Sequence, residues 1–206
     1  MSHPPEVHHD PAKLLEDVWA QLGRALVEPG QQWQLPVFSN IGQDGRPESR
    51  TLVLRSADHE RRVLTCHTDR RSPKVPALAA NPAISMVFYD RKSRTQLRVN
   101  GTARVHADDE IAREGWANTK LSSRRCYLAP YGPSEECEEW VANLPDDLHH
   151  SAPEAEQSEA GWENFAVIRI NVTEMERLDL HHDGHVRCRW RWNDGSDEPV
   201  AAWLAP

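Results

Sequence analysis

Nothing in these 206 residues approaches an apolar run of eighteen, so no membrane span is expected. A basic excess is missing as well. The formal net charge is -8, which argues against a protein held to nucleic acid by bulk electrostatics, and any anion site must be built locally. Cysteines number only four, at 66, 126, 137 and 188, with none in CxxC spacing. They are expected as reduced thiols of a cytoplasmic protein. GxGxxG, Walker A, GxSxG and HExxH are all absent, which removes the common nucleotide, hydrolase and zinc-protease readings. There is no internal repeat. The opening MSHPPEVHHDPAKLL lacks a cationic start followed by an apolar core and is not expected to be a secretory signal.

What is present is enough for a core: 38% hydrophobic residues, eight of them tryptophan. The length suggests one domain over 1–206, with a loose tail at 1–9. Asp10 can cap a helix and Pro11 suits its first turn; Leu14, Leu15, Val18, Leu22, Leu26 and Val27 then recur at helical spacing. Strands are predicted from about residue 34: LPVFSNIG, an Asp44-Gly45 turn, ESRTLVLRSAD as one strand, a charged turn, and RVLTCHTD. The spacing leaves no room for crossover helices, so the pairing is antiparallel. SPKVPALAANP reads as a short helix with Ser72 as its N-cap and Asn81-Pro82 closing it. AISMVFYD reads as a buried strand. RTQLRVNGTARVHA puts Leu97 and Val99 on one face, Gln96 and Arg98 on the other, with a bulge or bend at Gly101. Helices are expected at DDEIAREGWANT, capped by Asp108 or Asp109, at LSSRRCYLAP and at SEECEEWVANL, and a surface loop over 145–161. NFAVIRINVTEMERLDL, VRCRWRW and VAAWLAP return to strand. Six to eight antiparallel strands with peripheral helices make an α+β barrel.

His181, His182 and His185 surround an Asp-Gly turn, but neighbours on a strand point to opposite faces, so a polar hairpin is preferred to a metal site. His8-His9 and His149-His150 fall in expected loops, and no metal is expected there either. The cations say more. Arg50 and Arg55 bracket TLVL, Arg70, Arg71 and Lys74 surround the start of the short helix, and Arg98 lies on a polar strand face. With Thr68 and Ser72 they fit a phosphate cradle, although on spacing alone a solvated charged turn is the preferred reading.

The ordered set RTLVLR, CHTDRRSPK, NPAISMVFYD, RTQLRVNGTARV and RCRWRW…WLAP resembles the pyridoxamine 5'-phosphate oxidase family, and within it the FMN-binding proteins of unassigned substrate. The match is good over 33–107, looser over 162–206 and poor over 108–161. The resemblance implies a split β-barrel, mainly β with peripheral helices, that binds FMN at a homodimer interface. It lays Arg50, Thr51, Leu52, Val53, Leu54 and Arg55 along the flavin, with His67 and Thr68 after the next strand and Ser72 and Lys74 on the phosphate. Pro73 stands where the family has a phosphate-binding arginine, a role open to Arg70 or Arg71. Gln96 falls near the isoalloxazine, and Arg189 reaches the flavin from the partner chain. For the substrate it points to Arg55, to Arg125 in SSRRCY, and to Arg187 in the stretch where the family carries Arg-Leu-His. An FMN-dependent oxidoreductase acting on a small substrate is therefore expected. The alternatives are an FMN carrier or sensor without turnover, and a scaffold that binds no flavin.

Overall fold

The computed structural model describes residues 10–193 and 195–206; the tail expected at 1–9 lies outside them. Helix α1 (Pro11–Val27) starts where the cap and proline predict, with Asp10 Oδ1 accepting from the Ala12 N–H at 2.9 Å. Its buried stripe is Leu14, Val18, Trp19, Leu22 and Ala25, while Val27 is exposed.

Nine strands follow: β1 (Val37–Ile41), β2 (Pro47–Thr51), β3 (Leu54–Asp58), β4 (Val63–Asp69), β5 (Ala83–Asp90), β6 (Thr95–His106), β7 (Phe165–Asp179), β8 (Val186–Arg191) and β9 (Val200–Trp203). All pair antiparallel, in the order β2-β1-β5-β6-β7-β4-β3, with β8 on β7 and β9 on β8. The 47–58 stretch is thus two strands rather than one. β2 and β3 lie at opposite ends of this path, yet only Leu52 and Val53 separate them. Such a link spans about 11 Å at most, so the sheet must curl until its ends nearly meet. It does not close, because no ladder joins β2 to β3.

The long strand β7 carries the branch. Its first half pairs β4 over Phe165–Asn171, and its second half pairs β8 over Glu174–Asp179. Where it changes partner, β6 shifts register between Asn100 and Gly101. A Cβ at Gly101 would sit 2.1 Å from the Asn171 carbonyl oxygen, so only glycine lets the two backbones approach here. β5 alternates, with Ile84, Met86 and Phe88 buried and Tyr89 exposed, rather than being buried throughout. The inward residues of these strands form the main core against α1, closed over by Cys188, Trp190 and Trp192 from the β8 end. Buried Arg177 ties the helix to the sheet, donating to Asp179 at 3.0 Å and to Asp17 at 2.5 Å.

The intervening helices are α2 (Lys74–Ala80), α3 (Glu110–Ala117), α4 (Leu121–Arg124) and α5 (Ala155–Ser158). Asp109 caps α3, accepting from the Ala112 N–H at 3.0 Å. Two expectations fail here. Residues 134–144 form no helix: Glu135, Glu136, Glu138 and Glu139 would stack like charges on adjacent turns. Residues 145–161 are not a bare loop. They hold a 3-10 turn at Asp146–Leu148, then α5, then the start of a second 3-10 turn at Glu159–Asn164. Arg124 orders that stretch through Ser158 Oγ at 3.1 Å and Glu159 at 2.6 Å. A second small core of Trp116, Tyr127, Phe165 and Val167 sits beneath it. All four cysteines are free thiols. No helix among the described residues is long and apolar enough to cross a membrane.

Candidate flavin-type site

The nearly closed seam between β2 and β3 opens onto a cavity of about 510 Å3. One wall is the Thr51–Val53 link with Arg55, and a second is the end of β4, with His67, Thr68 and Asp69. Lys74 closes one end. The remaining wall comes from the segment after α4, including Cys126, Tyr127, Tyr131 and Leu144. Seven residues named from the sequence thus share one cavity: Thr51, Leu52, Val53, Arg55, His67, Thr68 and Lys74.

Lys74 is the defining group. Its side chain is only 8% exposed, and Nζ donates to Thr68 Oγ1 at 3.0 Å and Ser72 Oγ at 2.5 Å. A buried ammonium needs such acceptors. That demand explains why Ser72 is not the helix cap: its hydroxyl serves Lys74, and the N-cap is Pro73, with no side-chain cap bond. Burial, and then the neighbouring Arg50 charge, pull the Lys74 pKa down to about 8. Arg50 stands behind this end, donating to the Asn40 side chain and to Glu48 at 2.7 Å. Neither arginine that could replace the cation missing at Pro73 is free. Arg70 is held by Asp108 at 3.0 and 3.1 Å, and Arg71 by Asp69 at 2.6 Å and the Ala129 carbonyl at 3.0 Å.

At the other end, Leu54 pairs with Cys66 and Ser56 with Thr65, so Arg55 is the extra residue of a β-bulge. Bulges re-aim side chains beside sites. No hydrogen bond or ion pair joins Arg55 to another described residue. Its charge and, before that, burial push His67 down to about 4, so the imidazole is neutral near pH 7. Thr119 Oγ1 donates to the Gly115 carbonyl at 2.7 Å, which leaves it to accept from His67 Nδ1 at 3.3 Å.

The other named residues lie elsewhere. Leu54 turns into the main core. Gln96, opposite Leu178 on β7, and Arg189, opposite Glu176 on the other side of that strand, stand on the outer sheet face. Arg187 donates to Glu176 at 2.7 Å, and Arg125 to the Leu148 carbonyl at 3.1 Å. From the SSRRCY stretch it is Cys126 and Tyr127, not Arg125, that line the cavity. No spacing rule pointed to them, because their position depends on Arg71 and Asn164 gripping the backbone carbonyls of Ala129 and Tyr127.

Comparison with known proteins agrees with this geometry. Residues 16–107 match the family model for the pyridoxamine 5'-phosphate oxidase FMN-binding domain. The pyridoxine/pyridoxamine 5'-phosphate oxidase of Myxococcus xanthus (strain DK1622) is 26% identical over 210 residues, covering 93% of each chain. The Streptomyces avermitilis enzyme of that name is 38% identical over 76 residues, 37% of this chain and 33% of its own. Among solved structures, a pyridoxamine 5'-phosphate oxidase-related, FMN binding protein from Nostoc punctiforme PCC 73102 matches with a TM-score of 0.73, 20% identity and full coverage of both chains. PhzG from Burkholderia lata 383 matches with a TM-score of 0.68 and 18% identity, over 100% of this chain and 99% of its own. At these identities the two structures establish the split-barrel fold alone. Residues 16–107, which carry β1–β6 and with them much of the cavity, match the pyridoxamine 5'-phosphate oxidase FMN-binding domain family, and the whole chain is similar to its relatives in sequence and in fold.

Proposed function

We propose that this chain binds FMN in the 510 Å3 cavity and acts as an FMN-dependent oxidoreductase on a small substrate. The observation that carries this is the buried ammonium of Lys74, flanked by two hydroxyls at the end of a cavity that also offers Leu52, Val53 and Tyr127, on a chain of net charge -8. A buried cation with hydroxyl neighbours suits an anion that completes it, and a terminal phosphate fits such a point charge. Lys74, Ser72 and Thr68 would hold the phosphate, with Arg50 adding charge from behind. Leu52, Val53 and Tyr127 would flank the ring; the Leu52 N–H is held by the Pro36 carbonyl at 3.1 Å, which leaves the Val53 backbone to serve a polar ring edge. Arg55 would sit at that edge, stabilising negative charge there. Bound FMN supplies the hydride and electron chemistry, and the chain binds it, orients it and limits water.

Gln96 and Arg189 can contribute only from a second copy, which makes a homodimer part of the proposal. A carrier or sensor without turnover is the second reading. It is favoured by the engagement of Arg125 and Arg187 with other groups of the chain.

Purified protein should be yellow and bind added FMN. Charge-assisted bonds are worth about 1.5–3 kcal/mol, so Lys74→Ala should weaken FMN about ten- to a hundredfold. Unchanged FMN affinity in that variant would refute the phosphate assignment. Anaerobic bleaching of the bound flavin by an amine or nicotinamide panel supports the enzyme, and no bleaching by any member supports the carrier.

A further inference from the structure

Tyr127 brings a phenol to the 510 Å3 cavity from the 3-10 turn Arg125–Leu128. The residue is only 6% exposed, and its position is tightly set. Asn164 Nδ2 donates to its backbone carbonyl at 2.8 Å. Its ring meets Trp116 edge-on at 5.9 Å and Phe165 at 5.1 Å. Gly161 closes in behind it: a Cβ there would stand 3.1 Å from Tyr127 Cβ and 3.2 Å from Trp116 Cη2.

The hydroxyl is the unfinished part of this arrangement. It has no hydrogen-bond partner among the described residues. Nor is it one of the polar atoms sealed from the surface, so it opens on the cavity that Tyr127 lines. A largely buried hydroxyl left without a partner costs free energy that a phenylalanine ring would not. Other polar groups of the cavity are already engaged: Thr68 with Lys74, Asp69 with Arg71, and Asn143 with the Tyr131 backbone. Burial first, and then Cys126, hold the phenol above its ordinary range, so near pH 7 the oxygen keeps its proton and can donate.

We infer that the Tyr127 hydroxyl donates a hydrogen bond to a carbonyl oxygen of the bound flavin ring, fixing the ring in place and stabilising the negative charge that oxygen gains on reduction. Lys74 closes the phosphate end and Tyr127 stands on a different wall, so the acceptor it meets belongs to the ring. A ring carbonyl oxygen accepts in both redox states, which suits a donor locked by two aromatic neighbours and unable to turn away. The inference rests on the FMN reading above and adds to it a tuning group from the segment between β6 and β7.

The test is Tyr127→Phe, which removes the oxygen and keeps the ring. Without FMN the variant should melt at the wild-type temperature or above it, because the hydroxyl has no partner in the chain to lose. With FMN, affinity should fall about two- to tenfold, the range of one neutral hydrogen bond. The midpoint potential of the bound flavin, read by reductive titration against a reference dye, should fall as well. Lys74→Ala should weaken FMN and leave the potential where it was. An unmoved or raised potential in Tyr127→Phe overturns the inference and leaves the FMN reading standing. So does an equal fall in Lys74→Ala, since the shift would then not come from a ring contact. A marked drop in the melting temperature of the FMN-free variant also overturns it, by making the hydroxyl a structural group. If the wild type binds no FMN, the FMN reading itself falls and takes the inference with it.

Discussion

The strands and the segment between β6 and β7 hold together by different means. Each strand is fixed by backbone ladders and by alternating burial, as in the Ile84, Met86, Phe88 and Leu97, Val99 faces. Residues 108–164 have few such ladders. They hang on single polar side chains: Arg124 donates to the Trp116 and Thr119 carbonyls, Asn164 to the Tyr127 carbonyl, and Asn143 exchanges two 3.0 Å bonds with Tyr131. In the first region many residues share the load, and damage spreads. In the second, one residue holds one turn, and damage stays local.

Two substitutions test that contrast. Gly101→Ala places a methyl 2.1 Å from the Asn171 carbonyl oxygen, at the point where β7 changes partner. Backbone on both sides must move, so a loss of about 4 kcal/mol or more is expected, measured by urea denaturation across the whole molecule. A loss under about 1 kcal/mol would mean that the branch point is pliable. Arg124→Met removes bonds to two backbone carbonyls, Ser158 and Glu159, together with a guanidinium 4.4 Å over Trp116. About 2–3 kcal/mol of local stability should go, seen as faster amide exchange within 110–128 and 155–164 while β5, β6 and β7 stay protected. Equal exchange in both regions would erase the distinction.

The same contrast decides what the sequence could tell. Strand periodicity, the Asp10 cap, the Gly101 irregularity and the 44–45 turn are local signals, and each appears where the spacing puts it. The split at Leu52–Val53 was hidden because TLVL is as apolar as any strand; the break comes from β2 and β3 joining opposite ends of the curled sheet. Residues 134–161 misled in both directions, since what orders them is a set of single distant contacts, Asn143 with Tyr131, Arg125 on the Leu148 carbonyl and Arg124 on Ser158 and Glu159, not any pattern of their own. Of the cavity, the motif residues on β4 and its flanks were legible. Tyr127 and Cys126 were not, and the engagement of Arg70 and Arg71 with Asp108 and Asp69 requires the fold to be seen.

The cavity takes one wall from each region, so the chemistry of Lys74 can be tested separately from the fold. Its pKa lies near 8 because burial and Arg50 disfavour the charged form, with Asp69 and Glu48 opposing them. Lowering a lysine this way means the free chain begins to lose the proton within a mildly alkaline window. An anion at Nζ favours the protonated form, so binding above pH 8 must take up a proton. FMN affinity should therefore be nearly level between pH 7 and 8, then fall toward tenfold, about 1.4 kcal/mol, per further pH unit. The sign is fixed: alkali weakens binding, because the phosphate, with a second pKa near ~6, keeps its charge throughout. Lys74→Arg keeps a cation that does not titrate in this range and should flatten the profile, whatever it does to the absolute affinity. Parallel profiles for the two proteins, followed by flavin fluorescence, would remove Lys74 from the phosphate end and leave Arg50 as the cation there.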